Sequence, residues 1–141
     1  MPFPIEPFFN EELIYDTSRS LDQRRPEILA AARNFLENHE TSIFRRHRQG
    51  ASGTEVVDAL SGLYDALIRI LFHAVESGLG DRYSSSCALI AIGGYGRSEI
   101  CPTSDLDLMF YHSGSNKEEA EQVSQHMLYF LWDLALDVGY S

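Results

Sequence analysis

Cysteine and long apolar runs are both scarce in this chain. Its 141 residues include only Cys87 and Cys101, too few for a disulfide framework, which indicates a reducing compartment. The start Met-Pro-Phe-Pro-Ile-Glu lacks the basic segment and the apolar run of a signal peptide. No uncharged apolar stretch approaches the ~18 residues that a membrane span requires. The sequence therefore predicts a cytoplasmic protein that has no membrane partner.

Basic residues are also few. Lys and Arg together number 11 against 21 Asp and Glu, so the formal net charge is −10. A surface that binds duplex nucleic acid neutralises phosphates with basic side chains, and this balance therefore argues against a general nucleic-acid partner. An acidic chain can still act on a nucleotide when a divalent cation lies between its carboxylates and the phosphates. The length and the 44% hydrophobic content fit one globular domain, or part of one.

The first 80 residues are predicted to be mostly helical. Residues 1–18 carry three prolines near their start and are expected to form an extended N-terminal arm. Residues 19–80 form a helical region with two amphipathic helices. The first is expected to begin firmly at Pro26, because proline suits a first helical turn. The second is expected to have Thr54 as its N-cap and to stop at Gly78 and Gly80.

The remaining region, residues 81–141, combines strands with a helix. Ala88–Ile92 is a short apolar run, typical of a strand that is buried on both faces. A second strand is predicted at Leu106–Tyr111, and a third amphipathic helix at residues 116–136. Residues 137–141 look like the entry to a third strand.

Two features next to the predicted strands carry the candidate chemistry. Gly93-Gly94-Tyr-Gly-Arg follows the first strand, and Asp105-Leu-Asp107-Leu begins the second, with ten residues between Gly94 and Asp105. Alternate side chains of a strand share a face, so the two aspartates are expected to project together. They would repel each other, and a bound Mg²⁺ would relieve that repulsion while leaving room for substrate phosphates. The glycines would let backbone N–H groups approach a triphosphate closely.

Two polar residues flank this pattern. The hydroxyl of Ser104 is a candidate for a further phosphate contact. Arg97 is a candidate for the same task, or it pairs with Glu99 or with one of the aspartates.

Each half of the pattern also has an ordinary structural explanation. A single Asp-Leu-Asp is most often an exposed strand face, and a Gly-Gly-x-Gly run without dinucleotide or P-loop spacing is most often a turn. Their combination favours a metal and nucleotide site. The five histidines lack metal-ligand spacing, Cys101 has no partner motif, and Tyr129 and Trp132 are expected to be packing residues of the third helix.

The run AIGGYGRSEICPTSDLDLMFY, residues 91–111, resembles the motif of the bacterial protein-PII uridylyltransferases, whose typical form is GGYGRGEL, a short gap with proline, and SDIDLL. The end of the chain, FLWDLALDVGYS, is similar to that family's LLWD and LEVGHS. These enzymes are members of the DNA polymerase beta-like nucleotidyltransferase superfamily. A looser resemblance extends back to about residue 20.

The resemblance implies an α/β (α+β) fold, with a small mixed sheet flanked by helices and truncated after its second strand. Residues 81–141 would then be a partial nucleotidyltransferase domain. Gly93 and Gly94 would hold the nucleotide phosphates, and Asp105 and Asp107 would be catalytic and ligate Mg²⁺. The family transfers UMP from UTP to a tyrosine of the nitrogen-signalling protein PII, so UTP and a PII-type acceptor are the implied partners.

The chain departs from the family pattern at Ser98, where glycine is usual, and at Tyr140, where histidine is usual. The third carboxylate of the superfamily is expected beyond Ser141. Two alternatives therefore stay open at this point. One is a nucleotide- or partner-binding module without turnover, and the other is a nucleotidyltransferase fused to cyclic-nucleotide or CBS sensory domains.

Overall fold

A computed structural model of the chain describes residues 3, 5, 8–16, 18–79, 87–102, 104–114 and 117–141. Five helices and three strands follow one another along these residues: α1 Glu11–Tyr15, α2 Leu21–Arg48, α3 Gly53–Leu79, β1 Ala88–Ala91, α4 Gly93–Gly96, β2 Leu106–Tyr111, α5 Lys117–Asp133 and β3 Val138–Tyr140. The sheet has the order β1-β2-β3, with β1 antiparallel and β3 parallel to β2. The predicted α/β class, a small mixed sheet flanked by helices, is confirmed.

The sheet has one face packed on helices and one open face. Its register pairs Ala91 with Leu108 and Leu106 with Val138, so these side chains point towards the helices, and both leucines are buried. Ile90 points the other way and is 41% exposed. The prediction that this strand is buried on both faces was wrong, because β1 is an edge strand and the described residues cover only one of its faces.

The core lies between the sheet and the three long helices. α3 supplies its central stripe, which faces α2 on one side and α5 on the other. Its buried apolar residues recur at three- and four-residue steps, as one face of a helix requires. The main contributors are Ile28, Ala32 and Phe35 of α2, Leu60, Leu63, Leu67 and Leu71 of α3, and Val123, Met127, Phe130 and Leu131 of α5.

Helix α2 begins five residues before the predicted start at Pro26. Ser20 and Gln23 form a capping box, in which each side chain accepts a hydrogen bond from the other residue's backbone N–H. An interior proline costs roughly 3 kcal/mol. The cap, worth about 1 kcal/mol, and the burial of Leu21, worth about 1.5–3 kcal/mol, offset that loss.

Helix α3 begins with a capping box of its own, made by Ser52 and Glu55. The predicted N-cap, Thr54, is already inside the helix. The predicted stop at Gly78 and Gly80 matches the end of α3 at Leu79, although the helix continues through Gly78 and residue 80 lies outside the described residues. A Cβ at Gly78 would lie 2.8 Å from Leu21 Cβ, so this glycine provides close packing against α2 rather than a helix end.

The N-terminal segment, predicted as an extended arm, contains the short helix α1. Asn10 caps this helix by accepting a hydrogen bond from the N–H of Leu13 at 2.7 Å. The buried Arg24 of α2 holds its other end by donating to the carbonyl oxygens of Leu13 and Ile14, at 3.0 and 2.8 Å. The prolines precede α1, which leaves these residues free to become helical.

The end of the chain differs from expectation in two ways. α5 ends at Asp133 rather than near residue 136, and Ala135 adopts a left-handed conformation with φ of 60°. The sheet, expected to be truncated after its second strand, includes β3 as a third one. β3 lies within residues 137–141, so the expectation that these residues are the entry to a third strand is confirmed.

The division of the chain at residues 18 and 80 stays a prediction, and residue 80 itself lies outside the described residues. Within the part of the chain that the structure describes, no helix has the length and apolar character needed to cross a membrane.

Candidate nucleotide and metal site

The glycine motif forms a tight helical turn, α4, directly after β1. Gly93 has a φ of +59°, which favours glycine, and a Cβ at Gly96 would lie only 2.7 Å from the carbonyl oxygen of Ala91. Gly96 N–H donates to Ile92 O at 2.9 Å, and this bond closes the turn. The first N–H groups of a helical turn have no acceptor within it, so those of Gly93 and Gly94 are donors of the kind that phosphate oxygens accept.

The carboxylate of Asp107 lies between two glycines from different parts of the chain. A Cβ on Gly93 would be 2.7 Å from Asp107 Oδ2, and a Cβ on Gly139 would be 2.6 Å from Oδ1. Any side chain at either position would therefore displace the carboxylate. Asp107 is on β2, and its neighbours come from α4 and β3, so the site is assembled from three elements.

Asp105 lies one residue before β2, on an exposed part of the chain. It is two residues from Asp107, the spacing that places side chains on one face of a strand. Among the described residues, no three His, Cys, Asp or Glu side chains form a group that could hold a metal ion. The two aspartates supply hard oxygen donors, and Mg²⁺ characteristically completes such a pair with water and phosphate oxygens.

Arg97 and Ser104, the two flanking candidates, both have protein partners. Arg97 Nε lies 3.0 Å from Glu99 Oε2, and both side chains are exposed, so the predicted pairing with Glu99 occurs, while the phosphate contact of Arg97 stays a prediction. Ser104 Oγ accepts from the N–H of Cys101 at 3.0 Å and stabilises the turn before β2. Among the described residues, no acceptor takes the proton of the Ser104 hydroxyl. Ser104 also lines a cleft of about 460 Å³, which it shares with Asp137.

A hydrogen bond ties the glycine turn to helix α3. Tyr95 is only 5% exposed, and its hydroxyl donates to Asp65 Oδ1 at 2.8 Å. Burial, followed by the bond to Asp65, raises the pKa of Tyr95 well above its usual value, so the phenol stays protonated. The roles of Asp65 and Gly139 were not predicted from the sequence. The similarity of the chain end to LEVGHS includes Gly139 but does not indicate its role, and no local pattern marks Asp65, because both roles depend on which segments the fold brings together.

Two predictions about residues near the site have different outcomes. Tyr129 and Trp132 were predicted to be packing residues of the third helix, but they are 47% and 44% exposed and are not part of the buried core. Instead they form an exposed row of rings, with Trp132 in an edge contact with Tyr140 of β3. The histidines occur in no metal-binding group within the described ranges, and their expected lack of a ligand role stays a prediction.

Comparison with known proteins gives this geometry a context. Residues 38–141 match the family model described as "Putative nucleotidyltransferase DUF294". No solved structure matches the chain significantly.

Curated relatives carry the description "Bifunctional uridylyltransferase/uridylyl-removing enzyme". The protein from Erythrobacter litoralis is 38% identical over 125 residues, which are 85% of this chain and 14% of the relative. The protein from Novosphingobium aromaticivorans is 35% identical over 129 residues, again 85% of this chain and 14% of the relative. One from Caulobacter vibrioides is 39% identical over 104 residues, 68% of this chain and 11% of the relative.

The chain thus spans about one seventh of the length of these enzymes. Residues 38–141, which match the family model, include the glycine turn, the two aspartates and the strand that carries Gly139. On the strength of the family match and these relatives, the chain belongs to the DUF294 nucleotidyltransferase family and is related to the bifunctional uridylyltransferase/uridylyl-removing enzymes.

Proposed function

We propose that this chain is the metal- and nucleotide-binding part of a uridylyltransferase that transfers UMP from UTP to a PII-type protein with Mg²⁺. The observation that carries the proposal is the position of Asp107. Its carboxylate lies against Gly93, so the aspartate pair and the glycine turn, ten residues apart in the motif, meet at one place. A nucleotidyltransferase requires this proximity, because metal and phosphates must be held together.

Each residue has a distinct task in this proposal. Asp105 and Asp107 hold Mg²⁺, and the N–H groups of Gly93 and Gly94 hold phosphate oxygens. The bound metal would neutralise charge that develops on the phosphates during transfer. Ser104 donates its hydroxyl proton to a phosphate oxygen. Arg97, exposed beside the turn, keeps its guanidinium within reach of the same phosphates while bonding to Glu99.

Uridine selectivity and the PII-type acceptor come from the relatives and from the motif that resembles theirs. The printed description of the relatives names uridylyl transfer and uridylyl removal. The proposal extends the transfer activity alone to this chain. A cytoplasmic location belongs to the same proposal, and the two free cysteines, one buried and one exposed, are compatible with it.

A nucleotide-binding module without turnover is the second candidate. One observation favours it: within the described part of the chain, no third acidic side chain joins Asp105 and Asp107 in a metal-binding group. Transfer needs a group that activates the acceptor hydroxyl, and a third carboxylate commonly does this in two-metal and related sites. Binding and turnover therefore have to be measured separately.

The binding experiment is calorimetric titration with UTP in the presence of Mg²⁺. Asp105→Asn and Asp107→Asn should each weaken binding at least about tenfold, because an amide is a poor ligand for a hard cation. Gly139→Ala should weaken it by a similar factor by displacing Asp107. All of these variants should fold, and the two Asn variants should melt at or slightly above the wild-type temperature because like-charge repulsion is relieved.

Two control variants match these changes. Asp58→Asn removes the same charge from an exposed position of α3, and Gly53→Ala adds a methyl group where no atom lies within 4 Å. Both should bind Mg²⁺ and UTP as the wild type does. If Asp107→Asn and the wild type bind equally, or neither binds, the proposed site is wrong. Transfer of radiolabelled UMP to a PII-type protein then separates the two candidates, since a binding module gives no labelled acceptor.

A further inference from the structure

We propose that Asp65 of α3 is a positioning residue for the nucleotide site, acting through the hydroxyl of Tyr95. The inference rests on the proposed function and adds to it a link between the central helix and the glycine turn. Asp65 itself touches no substrate. It sets where the N–H groups of Gly93 and Gly94 lie relative to Asp107.

The first reason is the composition of the turn. α4 has the sequence Gly-Gly-Tyr-Gly, so Tyr95 is the one residue in it with a side chain. Glycine has the greatest backbone freedom of all residues, and three of them in four positions leave a turn that is weakly determined by local preference. Any anchoring by a side chain must therefore come from Tyr95.

The second reason is that the anchor reaches a rigid element. The Tyr95 hydroxyl donates to Asp65 Oδ1 at 2.8 Å, and Asp65 lies in the middle of the 27-residue helix α3. Both neighbouring turns of α3 place fully buried leucines in the core, including Leu63 and Leu67. The hydrogen bond thus fixes the position of the turn relative to the most deeply buried part of the molecule.

The third reason is that packing alone leaves space beside the ring. Tyr95 and Asp65 both line a cavity of about 270 Å³, whose floor is formed by apolar side chains of α3 and of the sheet, among them Phe72, Leu89 and Leu108. A ring that borders open space has room to shift if its hydroxyl is released. The hydrogen bond therefore restrains a movement that van der Waals contacts do not prevent.

The fourth reason is that the site tolerates only small displacements of the turn. The position of a Cβ at Gly93 is 2.7 Å from Asp107 Oδ2, and at Gly96 it is 2.7 Å from Ala91 O. Backbone and carboxylate are thus already at close approach on both sides of the turn. A shift of a few tenths of an ångström changes the separation between the phosphate donors and the metal ligand, which is the quantity that nucleotide binding depends on.

The test compares Tyr95→Phe with a matched variant, Tyr64→Phe. Tyr64 is next to Asp65 on α3, and its hydroxyl donates to a carboxylate, Glu40 Oε1, at 3.0 Å, so the partner of its hydroxyl lies on α2 and not in the glycine turn. Both changes remove one hydroxyl and keep the ring. Tyr95→Phe should weaken binding of Mg²⁺ and UTP about five- to tenfold, the ratio expected for one lost hydrogen bond. Tyr64→Phe should change it less than twofold.

Changes at Asp65 test the acceptor. Asp65→Asn keeps an oxygen that accepts from the Tyr95 hydroxyl and should bind nearly as the wild type does. Asp65→Leu removes the acceptor and should match Tyr95→Phe. The double variant Tyr95→Phe/Asp65→Leu should bind no more weakly than either single one, because both remove the same bond. A loss confined to folding stability, with unchanged nucleotide affinity in all of these variants, overturns the inference.

A readout without nucleotide separates this inference from the proposed function. Amide hydrogen exchange over residues 92–97 should accelerate in Tyr95→Phe and Asp65→Leu, and should stay at the wild-type rate in Asp65→Asn and Tyr64→Phe. Unchanged exchange in the first two overturns the inference whether or not the chain binds UTP. If exchange accelerates in these variants while the wild type and Asp107→Asn bind UTP equally, the Tyr95–Asp65 hydrogen bond does restrain the turn. In that case the proposed nucleotide site is wrong.

Discussion

At the scale of single residues, backbone conformation decides which side chains the site tolerates. Three described positions at or near it have positive φ: Gly93 at 59°, Ser98 at 58° and Ala135 at 60°. Glycine occupies only the first of them. Position 98 is where the uridylyltransferase motif usually has glycine, and the left-handed backbone there is a physical reason for that preference.

Replacement of Ser98 by glycine should therefore stabilise the protein. A left-handed conformation costs a residue with a Cβ roughly 1–2 kcal/mol, and the greater freedom of glycine in the unfolded chain offsets part of the gain. We expect the free energy of unfolding to rise by about 0.5–1 kcal/mol in urea denaturation. Ser98→Ala is the control, because alanine keeps the Cβ and should bring no such gain. Equal stability of the glycine and alanine variants would contradict this explanation.

The sequence predicted part of the site at this scale. Gly93 and Asp107 belong to one contiguous motif with recognisable spacing, and the structure brings them into contact. Gly139 and Asp65 lie 32 and 42 residues from Asp107. Their contributions depend on the register of β3 and on the rotation of α3 about its axis, which no short pattern encodes. The catalytic and binding roles of all these residues stay predictions.

At the scale of elements, hydrophobic periodicity predicted the three long helices, α2, α3 and α5, and which of their faces are buried. It did not predict where they begin. Apolar spacing reports burial, whereas a helix start depends on one side chain that satisfies free backbone N–H groups. Ser52 and Thr54 are both good N-cap residues by type, so the choice between them needs the geometry in which Ser52 Oγ accepts from Glu55 N–H at 3.2 Å.

These two residues allow the corrected boundary to be tested. Ser52→Ala should lower the free energy of unfolding by about 1 kcal/mol, because it removes the N-cap of α3. Thr54→Ala should be neutral or slightly stabilising, because alanine has the higher helix propensity and Thr54 is inside the helix. Urea denaturation of the two variants measures the difference. The reverse order of stabilities would restore Thr54 as the cap.

The burial of β1 shows a second limit of pattern analysis. Ala88–Ile92 is uniformly apolar, and such runs are typical of strands covered on both faces. The same composition also fits an edge strand that is covered on one face only, and that is how the structure places β1. An apolar composition shows that a strand can be buried, but the elements packed against it determine which of its faces are covered.

At the scale of the whole molecule, α2 and α5 are joined by charged groups at the end of α5. Arg25 contacts Asp133 Oδ2 at 2.7 Å and lies over the Phe130 ring at 4.3 Å, while Arg33 donates to the carbonyl oxygen of Asp133 at 3.0 Å. The same interface holds His126, which faces Asp22 and Arg25 of α2. Burial lowers the pKa of His126 below its usual value, and the nearby Arg25 adds to that effect although Asp22 opposes it.

The fold should therefore lose stability in mild acid. Because the pKa of His126 is lower in the folded state, the unfolded chain binds this proton first, and the free energy of unfolding falls as pH decreases below about 6.5. His126→Gln should reduce the fall measured by urea denaturation between pH 7.5 and pH 5.5. His73→Gln, at an exposed position of α3, should leave the fall unchanged. If the free energy of unfolding of His126→Gln falls as much as that of the wild type, His126 is not the source of this pH dependence.

The row of exposed rings gives the molecule an optical property. Trp132 is the only tryptophan in the chain, and its ring centroid is 6.1 Å from that of Tyr140 on β3. The residue before Tyr140 is Gly139, which touches the Asp107 carboxylate. Trp132 is thus linked to the proposed metal ligand through Tyr140 and Gly139. Its fluorescence should therefore respond to displacements of β3 without any attached dye.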